Sequence, residues 1–374
     1  MRVAILGAGP GGLYAAYLLK KQGIAAEIRV IEQNPPGATF GFGVVFSDRA
    51  LEFLREDDPE TYALIAPELE TWEDITLRHK GETIRIDGIG FAAIGRLHLL
   101  QLLQKRLTGL GIEPQFNRVV SDVAEFDDVD LVIGADGVNS LVRRSADFGF
   151  TQELLTNRFV WYGTRQRFET LTQTFKHTDE GYFNAHHYRY SPEMSTFIVE
   201  VDEKSFFDIG FDRMSEEATR AYLERVFAEE LGGNPLVTNK SLWRQFPKIH
   251  NARWSVGNRV LVGDALHTAH FSIGSGTRLA LEDVIVLVRA VGEHRNDISA
   301  ALVAYEATRR PVMEKLVNAA NTSAGWYENF TTHMQLEPWP FAESYIMRSG
   351  RVMRERLAGI APRFISELNR RVAA

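Results

Sequence analysis

Three short, continuous apolar runs punctuate the chain: Val3 to Leu6, Leu131 to Ile133 and Val260 to Val262. Each ends in glycine, and runs of this length without alternation suit strands buried on both faces of a parallel sheet. After the first run, Leu13, Ala15, Ala16, Leu18 and Leu19 predict a helix, and Ile28 to Ile31 a second strand. Residues 75–86 instead alternate apolar and polar about Lys80-Gly81, which predicts a hairpin. Leu97, Leu99, Leu100, Leu102, Leu103 and Leu107 recur at helical spacing behind Arg96. Ser47 or Asp48 is expected to cap a short helix over 49–55.

From 158 to 201 the pattern changes. Phe159 to Gly163, Gly181 to Tyr188 and Ser195 to Val201 are aromatic and β-branched, as in strands of a second sheet. Ser215-Glu216-Glu217 opens a helix carrying Tyr222, Val226 and Phe227. Another helix from about Arg278 carries Leu279, Leu281, Val284, Ile285 and Leu287, and the chain is helical from Asp297 onward. The fold class is therefore α/β, with a second, β-rich part and a helical C-terminus.

A length of 374 residues accommodates two domains, or one large domain with an inserted lobe. The net charge of −7 argues against a general nucleic-acid binder. With no cysteine there is neither a disulfide framework nor a thiolate metal site, which suits a reducing cytoplasm. No apolar stretch reaches the length of a membrane span, and the first residues enter a strand rather than a secretory signal.

Gly7, Gly9 and Gly12, with Gly11 between them, form G-x-G-x-x-G between the first strand and helix. The first glycine permits a tight turn, the second a close approach to a diphosphate, and the third close packing of helix on strand. Glu32, twenty residues beyond Gly12, ends the second strand where a carboxylate meets a ribose hydroxyl, with Gln33 beside it. The motif reads as a site for an ADP-containing dinucleotide and does not separate NAD from FAD. Asp136 and Asp264 follow the later strands, so both reach the carboxyl edge of the sheet. Gly274, Gly276 and Thr277 leave backbone N–H groups free at a helix start. Glycines alternating with apolar residues over Gly41–Val45 suggest backbone laid against a flat group, or a strand with glycine kinks. His267 and His270 lack any H-E-x-x-H pattern, so no metal is expected. His186 and His187 are adjacent on a strand and point to opposite faces. The last thirty residues hold Arg348, Arg351, Arg354, Arg356, Arg363, Arg370 and Arg371 against Glu355 and Glu367. That excess reads either as a solvated helix face or as a site for a phosphate-rich substrate tail.

Taken in order, Gly7-x-Gly9-x-x-Gly12 with Glu32, Gly134-Ala135-Asp136-Gly137 with Ser140 and Arg143, and Gly263-Asp264-Ala265 with Gly274 and Gly276 resemble the single-component FAD-dependent aromatic monooxygenases, the p-hydroxybenzoate hydroxylase-like family. The resemblance implies FAD as cofactor, NAD(P)H and O2 as co-substrates, and hydroxylation of a small aromatic molecule. It also implies a Rossmann-like FAD-binding domain over 1–74, 90–155 and 250–320, an inserted substrate domain over 75–89 and 156–249, and a helical segment over 321–374. It assigns the ADP part of FAD to the first motif, and the ribityl chain and diphosphate to the third. Arg96 matches the family arginine at the flavin, and Gly43 and Val44 fall where backbone lies along the flavin ring. Phe271-Ser272-Ile273 stands where the family usually has a proline. Gly41 to Asp48, Trp161 to Thr164, Met194 to Glu200 and His270 to Gly274 look like the salicylyl-CoA 5-hydroxylases and the 2-aminobenzoyl-CoA monooxygenases, and several are shared with a violacein-pathway hydroxylase. The expected substrate is accordingly an aromatic acyl-CoA such as salicylyl-CoA, hydroxylated at the 5 position. An indole or other free aromatic is the alternative, and a flavin-binding sensor or carrier the alternative of another class. Candidates for polar contact with the ring are His270, then His187 and Tyr162, and for the CoA phosphates Arg348, Arg351 and Arg354. A cytoplasmic monomer or homodimer is expected, with no membrane or nucleic-acid partner.

Overall fold

The computed structural model describes residues 1–47 and 51–372. Its first sheet has five strands in the order Ser255–Val256, Arg259–Leu261, Leu131–Gly134, Arg2–Leu6, Glu27–Ile31. Arg2–Leu6 lies parallel to both Glu27–Ile31 and Leu131–Gly134, and Arg259–Leu261 is parallel to Leu131–Gly134. The three apolar runs are thus neighbours, covered on both faces, which is why they carry no polar alternation. Helices Pro10–Lys21 and Gly276–Glu293 pack side by side.

A seven-stranded sheet takes its strands from two parts of the chain: Ile75–His79 and Glu82–Ile86, and five strands between Arg158 and Val237. In the hairpin, Lys80 (φ 47°) and Gly81 (φ 79°) both occupy the left-handed region that a two-residue turn demands. Leu171–Thr178 joins Ile75–His79 in parallel and so stitches the two parts together. A three-stranded sheet of Gly43–Ser47, Phe91–Gly95 and Glu70–Trp72 serves two cores at once. Val44, Phe46 and Ile94 enter the core of the first sheet, while Val45 and Phe91 pack on the second core. The expected helix over 49–55 is observed as Glu52–Asp57, and its expected start lies outside the described residues.

Helix Ile298–Glu328 begins where the Asp297 side chain accepts from the Ala300 N–H at 2.9 Å. Its early residues Ala301, Leu302 and Tyr305 belong to the first core, and Trp326 and Tyr327 to the second. The boundary expected at 320 therefore falls inside one continuous helix. The C-terminal helices have no separate core either, since Phe341, Tyr345, Leu357, Phe364 and Leu368 bury against Ile75, Leu77, Ile84 and Ile86. Among the described residues no helix is long and apolar enough to cross a membrane.

Candidate active site

At the first motif, Gly7 has φ 101°, and a Cβ on Gly12 would collide with the Gly7 carbonyl oxygen, so helix and turn touch backbone to backbone. A Cβ on Gly9, the residue that caps helix Pro10–Lys21, would meet no atom within 4 Å. Glu32 Oε2 accepts from the Ala8 N–H at 2.9 Å, and Oε1 from the Asn34 N–H at 2.8 Å. The carboxylate thus ties the glycine turn to the second strand, with Gln33 exposed beside it. A Cβ on Gly11 would stand 3.6 Å from Ala280, so the N-terminal ends of helices Pro10–Lys21 and Gly276–Glu293 lie close together.

Asp136 Oδ2 accepts from the Leu141 and Val142 N–H groups at 2.6 and 3.2 Å, whereas Oδ1 is buried without a partner. Burial pushes this carboxyl above the ordinary aspartate range, against the hydrogen bonds from Ser140 and the backbone. Arg143 donates to the Ala265 carbonyl at 2.8 Å and joins the second motif to the third. There, Asp283 Oδ2 accepts from the Gly263 N–H and from His267, and Asp283 Oδ1 from Arg309. His267 is thereby a structural partner of the turn. A Cβ on Gly276, in the first turn of its helix, would meet no atom within 4 Å, while one on Gly274 would press on Val45 at 3.1 Å. Thr277 follows, half-buried.

Arg96 opens helix Arg96–Thr108, its N–H donating to the Phe42 carbonyl at 2.8 Å. Burial pushes its pKa down and the charge of Asp264 opposes this. Burial likewise pushes Asp264 up, against the charge of Arg96. The two charges sense each other without forming an ion pair; Arg96 is half-buried and Asp264 keeps an exposed side chain beside its glycine turn.

The flat groups beside Gly41–Val45 are rings of the protein itself. A Cβ on Gly41 would meet Trp161 at 2.9 Å, and one on Gly43 would meet Tyr190 at 2.6 Å. Gly43 is further clamped by its N–H to Thr196 (2.9 Å) and its carbonyl to Tyr188 (3.0 Å). Val44 is buried in the first core. The segment is held by the second sheet and presents Gly43 opposite Gly95, next to Arg96.

Strand parity corrects two expected ring contacts. His187, Phe197 and Tyr162 are cross-strand partners on one face, which packs under helix Glu216–Val226. His187 stacks on Phe197 (5.0 Å, 10°) and bonds Thr174 at 3.0 Å, and Tyr162 is fully buried. Both belong to that core and point away from the motifs. His186 occupies the opposite face, its ring 6.3 Å from Phe271. It is the residue the sequence missed: adjacency revealed that the two histidines face opposite ways, but nothing local revealed which way each faced. His270 is buried between Phe271 (4.2 Å) and Tyr327 (5.7 Å), with Nδ1 accepting from the Ser272 N–H at 3.4 Å. Burial pushes His270 and His186 each down to about 3, assisted by the positive charge of Arg348, so both imidazoles are neutral at pH 7.

The three arginines expected at CoA phosphates separate. Arg348 turns inward, donating to the Ser272 and Tyr345 carbonyls at 2.8 Å each. Arg354 is engaged by Glu343 (2.5 Å) and Asn369 (2.7 Å). Arg351 is exposed, and among the described residues no carboxylate lies within salt-bridge reach of it or of Arg356.

The FAD binding domain family matches residues 105–320, and the NAD(P)-binding Rossmann-like domain family matches residues 5–39. A salicyloyl-CoA 5-hydroxylase from a Streptomyces species is 42% identical over 361 residues, covering 93% of this chain and 70% of that protein. A 3-hydroxy-4-methyl-anthranilyl-[aryl-carrier protein] 5-monooxygenase from Streptosporangium sibiricum is 36% identical over 329 residues, 87% of this chain and 89% of that one. In fold, the chain matches the tetrameric form of 2-methyl-3-hydroxypyridine-5-carboxylic acid oxygenase at TM-score 0.72 and 17% identity, over 96% of this chain and 95% of that one. FAD fits the residues present: Gly9 and Gly276 leave two helix starts open to phosphate, and the charge of Asp264, beside Gly263, acts on Arg96, the residue after Gly95 opposite Gly43. With FAD as its cofactor and NAD(P)H as its reductant, the chain belongs to the FAD-dependent aromatic monooxygenases of the p-hydroxybenzoate hydroxylase-like family.

Proposed function

We propose that this enzyme hydroxylates the ring of an aromatic acyl group carried as a thioester, with salicyloyl-CoA as the first substrate to test and the 5 position as the site of attack. The observation that carries this reading is the 42% identity, across 93% of the chain, with a relative named for salicyloyl-CoA. A second relative is named for an anthranilyl group on a carrier protein, so both names place an aromatic acyl group on a carrier. The outward-facing Arg351 and Arg356 suit the phosphates of such a carrier, and the inward-facing Arg348 suits the aromatic end.

FAD supplies the redox chemistry and the activated oxygen when bound and reduced. The chain's part is to bind, orient and keep dry. Gly7, Gly9, Gly11 and Gly12, with Glu32 and Gln33, take the adenosine end. Asp136, Gly263, Asp264, Gly274, Gly276 and Thr277 take the diphosphate and ribityl chain, and Arg96, Gly43 and Val44 the ring. Phe271, Tyr327 and Tyr188 exclude water around His270 and His186, which strengthens every polar contact made there. The enzyme works in the cytoplasm, where NAD(P)H is supplied, as a monomer or homodimer. NAD(P)H oxidation and product mass, measured with salicyloyl-CoA and with free salicylate, test the reading. Turnover of the thioester in preference to the acid is expected, and equal inactivity with both overturns it.

A further inference from the structure

We propose that the strand Phe150–Leu154 is a docking edge for a second copy of this chain, the two copies pairing antiparallel about Gln152 to give a two-fold homodimer.

Among the described residues this strand has one sheet neighbour, Pro247–Asn251, with which it forms a two-stranded ribbon. All five of its residues are exposed, Phe150 at 42% and Leu154 at 48%. Backbone parity shows which of its polar groups the ribbon uses. Leu155 donates its N–H to the Phe246 carbonyl at 3.0 Å, and the Gly149 carbonyl accepts from the Ala252 N–H at 3.2 Å. Bonding residues alternate along an antiparallel pair, so residues 149, 151, 153 and 155 turn their backbone groups to the ribbon partner. Leu154 stands opposite Pro247, which has no N–H to donate, and this agrees with the same parity. The N–H and carbonyl groups of Phe150, Gln152 and Leu154 therefore point out from the free edge. Exposed edges are ordinarily blunted by lysine, proline or a bulge. This strand carries none of these, and its single charge, Glu153, is held by Lys248 at 2.7 Å.

The sequence Phe-Thr-Gln-Glu-Leu is complementary to itself. Turned antiparallel about Gln152, it sets Phe150 against Leu154 of the second copy, Leu154 against Phe150 of the second copy, and Gln152 against its own counterpart. Each of these facing pairs exchanges two backbone hydrogen bonds. Phe150, Gln152 and Leu154 share one face of the strand, so two aromatic–aliphatic pairs cover the exposed apolar side chains. Charge selects the register. In this pairing Glu153 lies opposite Thr151 of the second copy. Sliding the copies by two residues in one direction, or pairing them in parallel, sets the two Glu153 side chains against each other, and like charges directly opposite are destabilising. Sliding them in the other direction leaves Leu154 without its aromatic partner. A two-fold contact uses the same edge on both copies, so the assembly closes at two.

The test uses the FAD-loaded chain. Sedimentation equilibrium of the wild type from about 1 to about 100 µM should show monomer and dimer in exchange with a micromolar dissociation constant, as for a small transient interface. Gln152→Pro removes an outward N–H and leaves the ribbon's own bonds intact. It should keep the thermal midpoint and weaken dimerisation about tenfold or more. Because the chain has no cysteine, a single introduced thiol reports the register. Gln152→Cys should cross-link to a disulfide dimer under mild oxidation, since facing residues of a bonded pair stand about 5.5 Å apart at Cα. Thr151→Cys, on the other face and opposite Glu153, should not. A wild type that is monomeric at the highest concentration overturns the proposal, and so does a dimer that keeps wild-type strength in a folded Gln152→Pro. Cross-linking through Thr151→Cys in preference to Gln152→Cys overturns it as well, whatever the proline variant does to folding. No substrate enters these measurements, so failure of the thioester reading leaves them untouched.

Discussion

The carboxylate of Asp283, in the first half of helix Gly276–Glu293, accepts a hydrogen bond from the backbone N–H of Gly263 at 3.1 Å. One side chain thus fixes the distance between the turn after strand Arg259–Leu261 and the helix that starts at Gly276. Burial pushes this carboxyl up, yet the charges and hydrogen bonds of His267 and Arg309 leave it below the ordinary range. Removing it would strand a buried Arg309 with Glu282 alone, 2.8 Å away.

Asp283→Ala is therefore expected to destabilise the fold by about 3 kcal/mol, the low end for breaking a buried ion pair because Glu282 remains. It should also lower the FAD content of the purified protein. Urea denaturation and the flavin absorbance ratio check both. A group with a depressed folded pKa stabilises above its unfolded pKa and loses that contribution as pH falls through the folded value. The gap between wild type and variant should accordingly shrink in acid.

The first motif allows steric and ligand roles to be separated. Gly9 has φ −72° and open space around a Cβ, whereas a Cβ on Gly12 would overlap the Gly7 carbonyl. Gly9→Ala should leave the stability of the FAD-free protein within about 0.5 kcal/mol of wild type, as at an unencumbered surface site. It should weaken FAD binding tenfold or more, because the methyl group occupies the helix start. Gly12→Ala should cost about 1–3 kcal/mol before any FAD is added. Denaturation of the FAD-free variants, followed by FAD titration, distinguishes the two.

Much of this arrangement is legible in the sequence because parallel strands deliver their carboxyl ends to a common edge. Once Val3 to Leu6, Leu131 to Ile133 and Val260 to Val262 are read as buried strands, the glycines and aspartates behind them must converge. The hairpin at Lys80-Gly81 and the helix starts at Ser215 and Asp297 are equally local, and all three form as read. What escaped depends on partners distant in the chain. The face chosen by His187 is set by its pairing with Phe197, which local alternation does not specify. Nothing local to Gly41 and Gly43 shows that the rings of Trp161 and Tyr190, far along the chain, pack where their Cβ atoms would stand. The basic C-terminus is partly consumed by carboxylates elsewhere: Arg363 meets Asp74 and Asp87, and Arg354 meets Glu343. Arg348 instead turns inward to the Ser272 carbonyl, beside the third motif.

Stability should pass through a maximum near pH 6.5. Burial pushes Glu200 up to about 8, opposed by the Asn157 hydrogen bond and reinforced by the charge of Glu328. Between its unfolded pKa of about 4.5 and 8 the folded state therefore holds the extra proton, and stability falls as pH rises. His186 and His270 work the other way. Each is pushed from 6.5 to about 3, so the unfolded state binds more protons between those values and stability rises with pH there. Below pH 6.5 the two histidines are joined by His187, which burial also holds well below its ordinary value, and above it Glu200 leads the fall in stability. Urea midpoints across pH 5–8.5 check the profile. Glu200→Gln should flatten the alkaline side and stabilise by a few kcal/mol at pH 8, on the order set by its pKa displacement.

Strand parity gives the last prediction its contrast. The Tyr162 hydroxyl is buried without a hydrogen-bond partner, so Tyr162→Phe removes an unsatisfied group and leaves the ring in place. That change should be neutral or slightly stabilising and leave kcat/KM within about twofold. His187→Leu removes the bond to Thr174 but keeps a buried apolar side chain between Phe168 and Phe197. It should cost about 1–2 kcal/mol in stability, with kcat/KM again close to wild type. His186→Leu, one residue away on the other face, should do the opposite: small loss of stability, since its nitrogens bind nothing in the protein, and loss of kcat/KM by tenfold or more with a phenolic substrate. Thermal unfolding and steady-state kinetics on the three variants decide it, and a His187 variant with the larger kinetic defect would reverse the assignment of the two faces.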